Sequence, residues 1–177
     1  MKFKSRLFDE NAIKRALVRI SHEITERNDG VRSLVLVGIK SRGVPLARII
    51  AANIEASEGV KIETHELDIR FYRDDLSAIA VDPVVSDGEK FDVKGKTVVL
   101  VDDVLYTGRT ARAAMEALIK MGRPAFVQLA VLVDRGHREL PIRADFVGKN
   151  LPTARNEVVK VNIPPYDEDM SVELYEQ

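Results

Sequence analysis

The chain has no cysteine and no tryptophan among its 177 residues, and only 6% of its residues are aromatic. The absence of cysteine excludes a disulfide framework, a thiolate metal site and a cysteine nucleophile. No apolar run approaches the ~20 residues that a membrane-spanning helix needs. The opening residues 1–8 are too short for a signal peptide. We therefore expect a cytoplasmic protein that does not contact a membrane.

The chain also lacks an excess of charge of either sign. It has 27 Lys and Arg residues and 28 Asp and Glu residues, which gives a net charge of −1. Such a balance argues by itself against nucleic-acid binding. The distribution is uneven, however, because residues 166–177 carry five acids and no base and so leave the rest of the chain net positive. Length and composition predict one globular domain over residues 1–177.

The strongest pattern that is present is TVVLVDDVLYTGRT, at residues 97–110. Residues 97–101 are apolar or β-branched and predict a strand buried on both faces, with Asp102 and Asp103 at its carboxyl end. A tight turn at residues 106–110 and an alanine-rich helix ended by Gly122 should follow. Open parallel sheets bind ligands beyond the carboxyl ends of their strands, so we expect a ligand site here.

The residue types of this stretch suit a ribose 5-phosphate. A glycine between hydroxyl residues lets backbone amides converge, and the first turn of the helix adds unpaired N–H groups, so a phosphate monoester could bind there. Two adjacent carboxylates suit sugar hydroxyl groups or a hydrated magnesium ion.

Three other interpretations compete with this one. A Walker B strand also ends in aspartates, but the chain has no GxxxxGK[ST] loop. A receiver-type acidic pocket would open its domain, whereas this acidic pair lies past the midpoint. A purely structural role, with aspartates capping a helix and a glycine easing a turn, explains each residue singly but not the set.

The remaining pattern predicts an α/β chain around this stretch. Further buried strands are expected at residues 34–39 and 126–134, and helices after Asp9 and around Pro45. Residues 61–72 alternate and predict another strand, and short strands are expected within 144–150, within 157–163 and, as an edge strand, in the acidic tail. Lys40, Ser41 and Arg42 follow the first buried strand. A solvated turn is the alternative for such a loop, but the acidic pair expected at the same edge of the sheet favours a second anion site.

The stretch VVLVDDVLYTGRT resembles the thirteen-residue signature with which type I phosphoribosyltransferases bind phosphoribosyl pyrophosphate (PRPP). VGIKSRG near residue 40, FYRDDL near 72 and residues 131–150 are similar to the family of pyrimidine operon attenuation regulators that double as uracil phosphoribosyltransferases. The resemblance covers about residues 9–161. It implies a mostly parallel, twisted central sheet with helices on both faces, a flexible lid loop at about residues 73–96, and a small hood over the carboxyl edge made by the N-terminal and C-terminal segments.

The resemblance implies that uracil and PRPP give UMP and pyrophosphate. Mg²⁺ is expected to bind with PRPP, with Asp102 and Asp103 as the only candidate protein contacts. A cis peptide bond that does not involve proline is expected near Ser41. The implied catalytic residues are Asp102, Asp103, Arg42 and Arg73. The implied substrate-binding residues are Lys40, Ser41, Arg42, Val104, Leu105, Tyr106, Thr107, Gly108, Arg109, Thr110, Val133, Asp134, Arg135 and Val159.

The resemblance also implies a regulator that binds a leader mRNA stem-loop when UMP or UTP is bound, as a homodimer or homotetramer. Val18 departs from the hydroxyl residue that is usual in the family, which removes one expected hydrogen bond to RNA. Two alternatives are a plain salvage transferase for uracil or a purine, and a nucleotide-binding regulator without turnover. The implied RNA-binding positions, which disfavour the first alternative, are Arg19, His22, Arg27, Arg138, Arg143 and Lys149. The intact Lys40, Arg42, Asp102 and Asp103 disfavour the second.

Overall fold

The computed structural model describes residues 1–69 and 90–177, which form eight strands and three helices. In chain order these are β1 (Lys2–Phe8), α1 (Glu10–Arg27), β2 (Leu34–Ile39), α2 (Gly43–Glu58), β3 (Glu63–Leu67), β4 (Thr97–Leu105), α3 (Arg109–Met121), β5 (Phe126–Asp134), β6 (Phe146–Asn150), β7 (Glu157–Asn162) and β8 (Ser171–Glu176). No helix within these two ranges is both long enough and apolar enough to cross a bilayer.

Five strands form a parallel central sheet in the order β3-β2-β4-β5-β6. Alternate residues of β4 enter two cores: Val99 and Val101 pack with α1 and α2, whereas Val98 and Leu100 pack with α3. The expected α/β fold, with a parallel sheet and helices on both faces, is therefore confirmed. Burial on both faces explains why β2 and β4 read as continuous apolar runs.

Helix α1 begins where the sequence predicts it, because the Asp9 carboxylate accepts a hydrogen bond from the Ala12 amide at 2.7 Å. Helix α2 begins at Gly43, two residues before Pro45. A Cβ at Gly43 would lie 2.2 Å from the carbonyl oxygen of Val101, so only glycine lets this helix start directly against β4.

The two ends of the chain meet in a second, antiparallel sheet with the order β1-β8-β7. The N-terminal and C-terminal segments, which were expected to form the hood, build this sheet. The prediction of an edge strand in the acidic tail is wrong, because β8 pairs on both sides and is the central strand. Strand β1 was not predicted at all, although its alternating bases, Lys2, Lys4 and Arg6, have the period of two that strands show.

Two predicted element boundaries differ from the structure. Strand β4 continues past Asp102 and Asp103 as far as Leu105, because Val104 and Leu105 still pair with β5. Strand β3 is shorter than the predicted 61–72, and residues 70–72 lie outside the described ranges.

The predicted lid falls mainly on residues 73–89, which also lie outside the described ranges. Its last residues are described, and they pack on the domain. The Phe91 ring stacks on His65 with 4.1 Å between ring centroids, and Val93 is buried in the α3 core.

Candidate active site

The acidic pair lies in the carboxyl half of β4, where both side chains are partly buried. The Asp103 amide donates to the Asp102 carboxylate, and the Val104 amide donates to the Asp103 carboxylate, each at 2.9 Å. Burial raises the pKa of the Asp103 carboxyl above its ordinary value. A side-chain hydrogen bond with Asp102, the Val104 amide and the Arg42 cation lower it in part. A cation or a hydroxyl donor at this position would relieve the cost of a charged Asp103.

Residues 104–110 run from the end of β4 through a turn into α3 and form a cradle, which we call the phosphate loop after the ligand expected there. Gly108 adopts a left-handed backbone, with φ of 93°, and gives α3 no side-chain cap, so the amides of the first helical turn face the loop. The Thr107 hydroxyl is 3.4 Å from the Arg109 amide. A cavity of about 330 Å³ is lined by residues Asp102, Val104, Leu105, Tyr106, Thr107, Gly108, Arg109, Thr110 and Glu139.

The segment after β5 covers this cradle from one side. The Thr107 carbonyl accepts hydrogen bonds from the amides of Glu139 at 2.9 Å and Leu140 at 3.2 Å. The Glu139 carboxylate also accepts a hydrogen bond from Arg109 Nε at 2.7 Å. Sequence reasoning missed Glu139, because nothing in a local pattern shows which loop returns over the phosphate loop.

The second anion loop (residues 40–42) joins β2 to α2 and contains a cis peptide bond between Lys40 and Ser41, as expected. Lys40 Nζ is 3.9 Å from the Glu66 carboxylate. Because the first residue of α2 lies against Val101 and Asp102, the fold brings this loop next to the acidic pair.

Arg42 is held by a residue that sequence reasoning did not single out. Its Nε and Nη2 donate to the two carboxylate oxygens of Asp167 at 3.1 and 3.0 Å. The guanidinium holds the pKa of the Asp167 carboxyl below its ordinary value, with help from the Ile163 amide, although partial desolvation opposes the shift. The only sequence signal for Asp167 was the excess of acids in the tail, which does not specify a partner.

The third loop (residues 133–136) consists of the end of β5 and the two residues after it, and we call it the base loop after the ligand expected there. Val133 is buried, and the Arg135 guanidinium lies 4.0 Å from the centroid of the Tyr106 ring. Arg135 is only 6% exposed, and its side chain donates to the Thr153 hydroxyl and the Ala154 carbonyl. A cavity of about 410 Å³ beside this loop is lined by Asp134, Gly136, Arg138, Ile142, Arg143, Asn150, Leu151 and Pro152.

Val159 and Arg73 are the remaining expected substrate-binding or catalytic residues. Val159 is 8% exposed and belongs to the core on the α1 and α2 side of the sheet, together with Val133. Arg73 lies outside the described ranges. Within those ranges no three His, Asp or Glu side chains form a group that could hold a metal. A magnesium ion at Asp102 and Asp103 would therefore need further oxygen atoms from its ligand, which fits a cation that arrives with PRPP.

The positions expected for RNA form two sets. Along α1 and β6, Arg19 donates to the carbonyls of Val147 and Gly148, Arg27 is paired with Asp145, and His22 and Lys149 are exposed. Arg138 and Arg143 instead follow the base loop and line the larger cavity. Val18 is 42% exposed on α1.

Comparison with known proteins identifies the family of the chain. Residues 4–168 match the phosphoribosyl transferase domain family. The chain is 59% identical to the bifunctional protein PyrR of Clostridium novyi over 100% of both chains, and 60% identical to that of Clostridioides difficile over 98% of both.

Solved structures are similar in fold. A hypoxanthine phosphoribosyltransferase of Trypanosoma cruzi superposes with a TM-score of 0.74 at 19% identity, over 98% of this chain and 97% of the other. One from Staphylococcus aureus also gives 0.74, at 20% identity, over 97% and 92%. The chain therefore belongs to the phosphoribosyl transferase domain family and, within it, to the family of bifunctional PyrR proteins.

Proposed function

We propose that this chain transfers the ribose 5-phosphate group of PRPP to uracil, giving UMP and pyrophosphate, and that it regulates pyrimidine biosynthetic operons by binding RNA. The observation that carries the proposal is the close approach of three loops around Asp102 and Asp103. One loop offers uncapped helix amides, one offers Lys40 and Arg42, and one follows β5. This spacing suits a ligand with a phosphate at one end, a pyrophosphate at the other and a base beside them.

Each loop takes one part of the reactants. Asp102 and Asp103 accept hydrogen bonds from the ribose hydroxyls, and the phosphate loop binds the 5′-phosphate. Residues 40–42 bind the pyrophosphate, and the base loop binds uracil, with Val159 behind it. Arg73 is assigned to the leaving pyrophosphate by resemblance alone. The larger cavity beside Asp134 has room for a planar base.

Transfer breaks the bond between C1′ and the pyrophosphate oxygen and forms a bond between C1′ and N1 of uracil, which loses its proton. Positive charge develops on the ribose and negative charge on the pyrophosphate, so catalysis requires positioning and charge stabilisation more than a covalent nucleophile. Lys40 and Arg42 supply positive charge at the leaving group. Mg²⁺ bound with PRPP would supply further positive charge at the pyrophosphate. A contact with a ribose hydroxyl or with Mg²⁺ would favour the charged form of Asp103 and so oppose the burial that raises the pKa of its carboxyl.

The regulatory part of the proposal rests on the basic positions of α1 and β6. Arg19, His22, Arg27 and Lys149 lie along one surface, and an RNA stem-loop would be attracted there by its phosphates and identified by its unstacked loop bases. Bound UMP or UTP would favour this complex and so promote attenuation. The protein acts in this proposal as a cytoplasmic homodimer or homotetramer whose subunits combine their basic surfaces.

The enzyme is tested by the conversion of labelled uracil with PRPP and Mg²⁺. We expect Asp103→Asn to lower kcat/KM by about 100-fold, since one misdirected contact in the transition state has effects of that order. Asp92→Asn, an exposed aspartate outside the three loops, serves as the control and should leave kcat/KM unchanged. Unaltered turnover in the Asp103 variant would contradict the assignment.

The regulator is tested by binding of the leader RNA with and without UMP across a salt series. Arg19→Gln and Lys149→Gln should each weaken RNA binding and reduce the slope of log K against log salt by about one. Lys120→Gln removes the same charge from α3, on the opposite side of the sheet, and should have no effect. Wild-type protein that transfers uracil but binds no leader RNA would favour the plain salvage enzyme instead.

A further inference from the structure

The guanidinium of Arg138 is bound within the chain. Its Nε donates to the Ile142 carbonyl at 2.8 Å, and its Nη1 donates to the carbonyls of Tyr106 at 2.9 Å and Gly136 at 3.3 Å. Its Nη2 forms a short ion pair with the Asp134 carboxylate. The side chain is only 23% exposed. Although Arg138 is one of the positions expected to contact RNA, its donors are directed inward.

Three of these four acceptors belong to two different parts of the nucleotide site. Tyr106 is in the phosphate loop, whereas Asp134 and Gly136 are in the base loop. The backbone turns back between the loops because Gly136 and His137 both have positive φ, of 78° and 59°. The turn brings the Arg138 guanidinium over the gap between the loops. Because this group is planar and has donors on several sides, it can reach all of these acceptors.

The two loops that Arg138 joins would hold opposite ends of the same molecule. The phosphate loop takes the 5′-phosphate of UMP, and the base loop takes its uracil. Loops that are held at the right separation before binding lose less conformational entropy when the nucleotide binds. The contacts of Arg138 therefore raise the affinity for UMP. A second contact of the same kind lies beside it, because the Arg135 amide donates to the Leu105 carbonyl at 3.0 Å.

We propose that Arg138 is a positioning residue of the nucleotide site, which holds the base loop against the phosphate loop, and that UMP affinity depends on it in the absence of RNA. This inference rests on the proposed function, since it takes UMP as the ligand. It also gives Arg138 a role in regulation, because a variant that binds UMP poorly would respond poorly to UMP when RNA is present.

Arg138→Gln is compared with Arg123→Gln. Both remove one positive charge, but Arg123 is exposed in the turn before β5, at the amino ends of the central strands and away from the three loops. UMP binding is measured by calorimetry without RNA. We expect the Arg138 variant to bind UMP about tenfold more weakly or worse, since hydrogen bonds to charged groups contribute on that scale. The Arg123 variant should bind UMP like the wild type.

Kinetics and unfolding separate positioning from a general structural role. In Arg138→Gln the KM values for uracil and PRPP should rise more than kcat falls, because the reactants are bound less well. The thermal unfolding midpoint should fall by only a few degrees. Arg138→Lys keeps the charge but not the fork, and should remain weakened for UMP.

Wild-type affinity for UMP in a folded Arg138→Gln variant that has lost RNA binding would overturn the inference and leave Arg138 as an RNA contact. A lowered unfolding midpoint with unchanged UMP affinity would overturn it as well. If the Gln variant does not fold, the Lys variant decides, and UMP affinity equal to that of the wild type would reject the positioning role. Failure of the wild-type protein to bind UMP would instead refute the proposed function.

Discussion

Substitution of Gly43 by alanine should lower the transferase activity strongly while lowering the stability of the fold only moderately. The added Cβ would lie 2.2 Å from the carbonyl oxygen of Val101 and 3.3 Å from the Cα of Asp102. The first contact is about 1 Å too short for unbonded atoms, and both neighbours are backbone of the central strand β4, which cannot rotate away. Helix α2 must therefore move away from β4, and the Lys40 to Arg42 loop moves with it.

The expected size of the effect follows from this geometry. Forcing a methyl group into a packed site costs about 1–3 kcal/mol, and the gain of up to about 1 kcal/mol from replacing glycine in a helix offsets only part of it. A net loss of about 2 kcal/mol would lower the unfolding midpoint by roughly 4–8 °C in a chain of this size. A displacement of about 1 Å at the pyrophosphate loop would lower kcat/KM about 100-fold.

Gly59, at the other end of the same helix, provides the control. It adopts φ of 69°, and a Cβ there would meet no described atom within 4 Å. Gly59→Ala should destabilise the chain by about 1 kcal/mol through the left-handed backbone alone and leave uracil transfer unchanged. Urea unfolding and steady-state transfer kinetics on both variants decide the matter. Gly43→Ala with wild-type kcat/KM would refute the idea that the start of α2 sets the pyrophosphate loop against Asp102.

Three further predictions concern charge and backbone at the site. Burial raises the folded pKa of the Asp103 carboxyl above its ordinary 3.8. Ionisation of Asp103 therefore destabilises the fold increasingly as the pH rises from 3.8 to the folded pKa. Asp103→Asn should thus be more stable than the wild type at pH 7, and urea unfolding should show the gap shrinking as the pH falls toward 3.8. The folded pKa of Asp167 is lowered by Arg42, so its stabilisation is complete above pH 3.8 and is lost as pH falls through the folded pKa. Asp167→Asn should lower the free energy of unfolding by about 1 kcal/mol at neutral pH and should have no effect below the folded pKa. Substitution of the exposed Glu168 by Gln should leave stability unchanged at both pH values. Equal stability of the Asp167 variant and the wild type at pH 7 would argue against a stabilising Arg42–Asp167 ion pair. Gly108→Ala should lower the free energy of unfolding by about 1–2 kcal/mol, because φ is 93° at this position, and should raise the KM for PRPP. A folded variant with the wild-type KM would contradict this prediction.

The parts of the site that sequence reasoning identified lie within single stretches of chain. The acids, the turn and α3 are continuous from residue 97 to 121, so their spacing carries both the strand and the helix N-terminus that follows it. The cis bond between Lys40 and Ser41 also lies in one short loop, but it was expected from the family resemblance and not from a local pattern. Partners from elsewhere were not found: Asp167 reaches Arg42 across 125 residues, and Glu139 reaches Arg109 across 30.

Strand assignments differed from the structure for the same reason. The continuous apolar runs of β2, β4 and β5 were visible because both faces of each strand are buried. The length of β4 was not, since Val104 and Leu105 remain in the strand only because β5 pairs with them. Strand β1 has no continuous apolar run and is held by β8 from the other end of the chain.

By itself the sequence determined the α/β class, the helix start at Asp9, the buried strands, the acidic pair and the phosphate loop, because caps, periodicity and short loops depend on near neighbours. Only the tertiary structure decided that the chain ends pair in one small sheet, that Asp167 holds Arg42 and that Arg138 turns its donors inward. Those choices depend on which distant surfaces are buried together, and a pattern of neighbouring residues does not specify them.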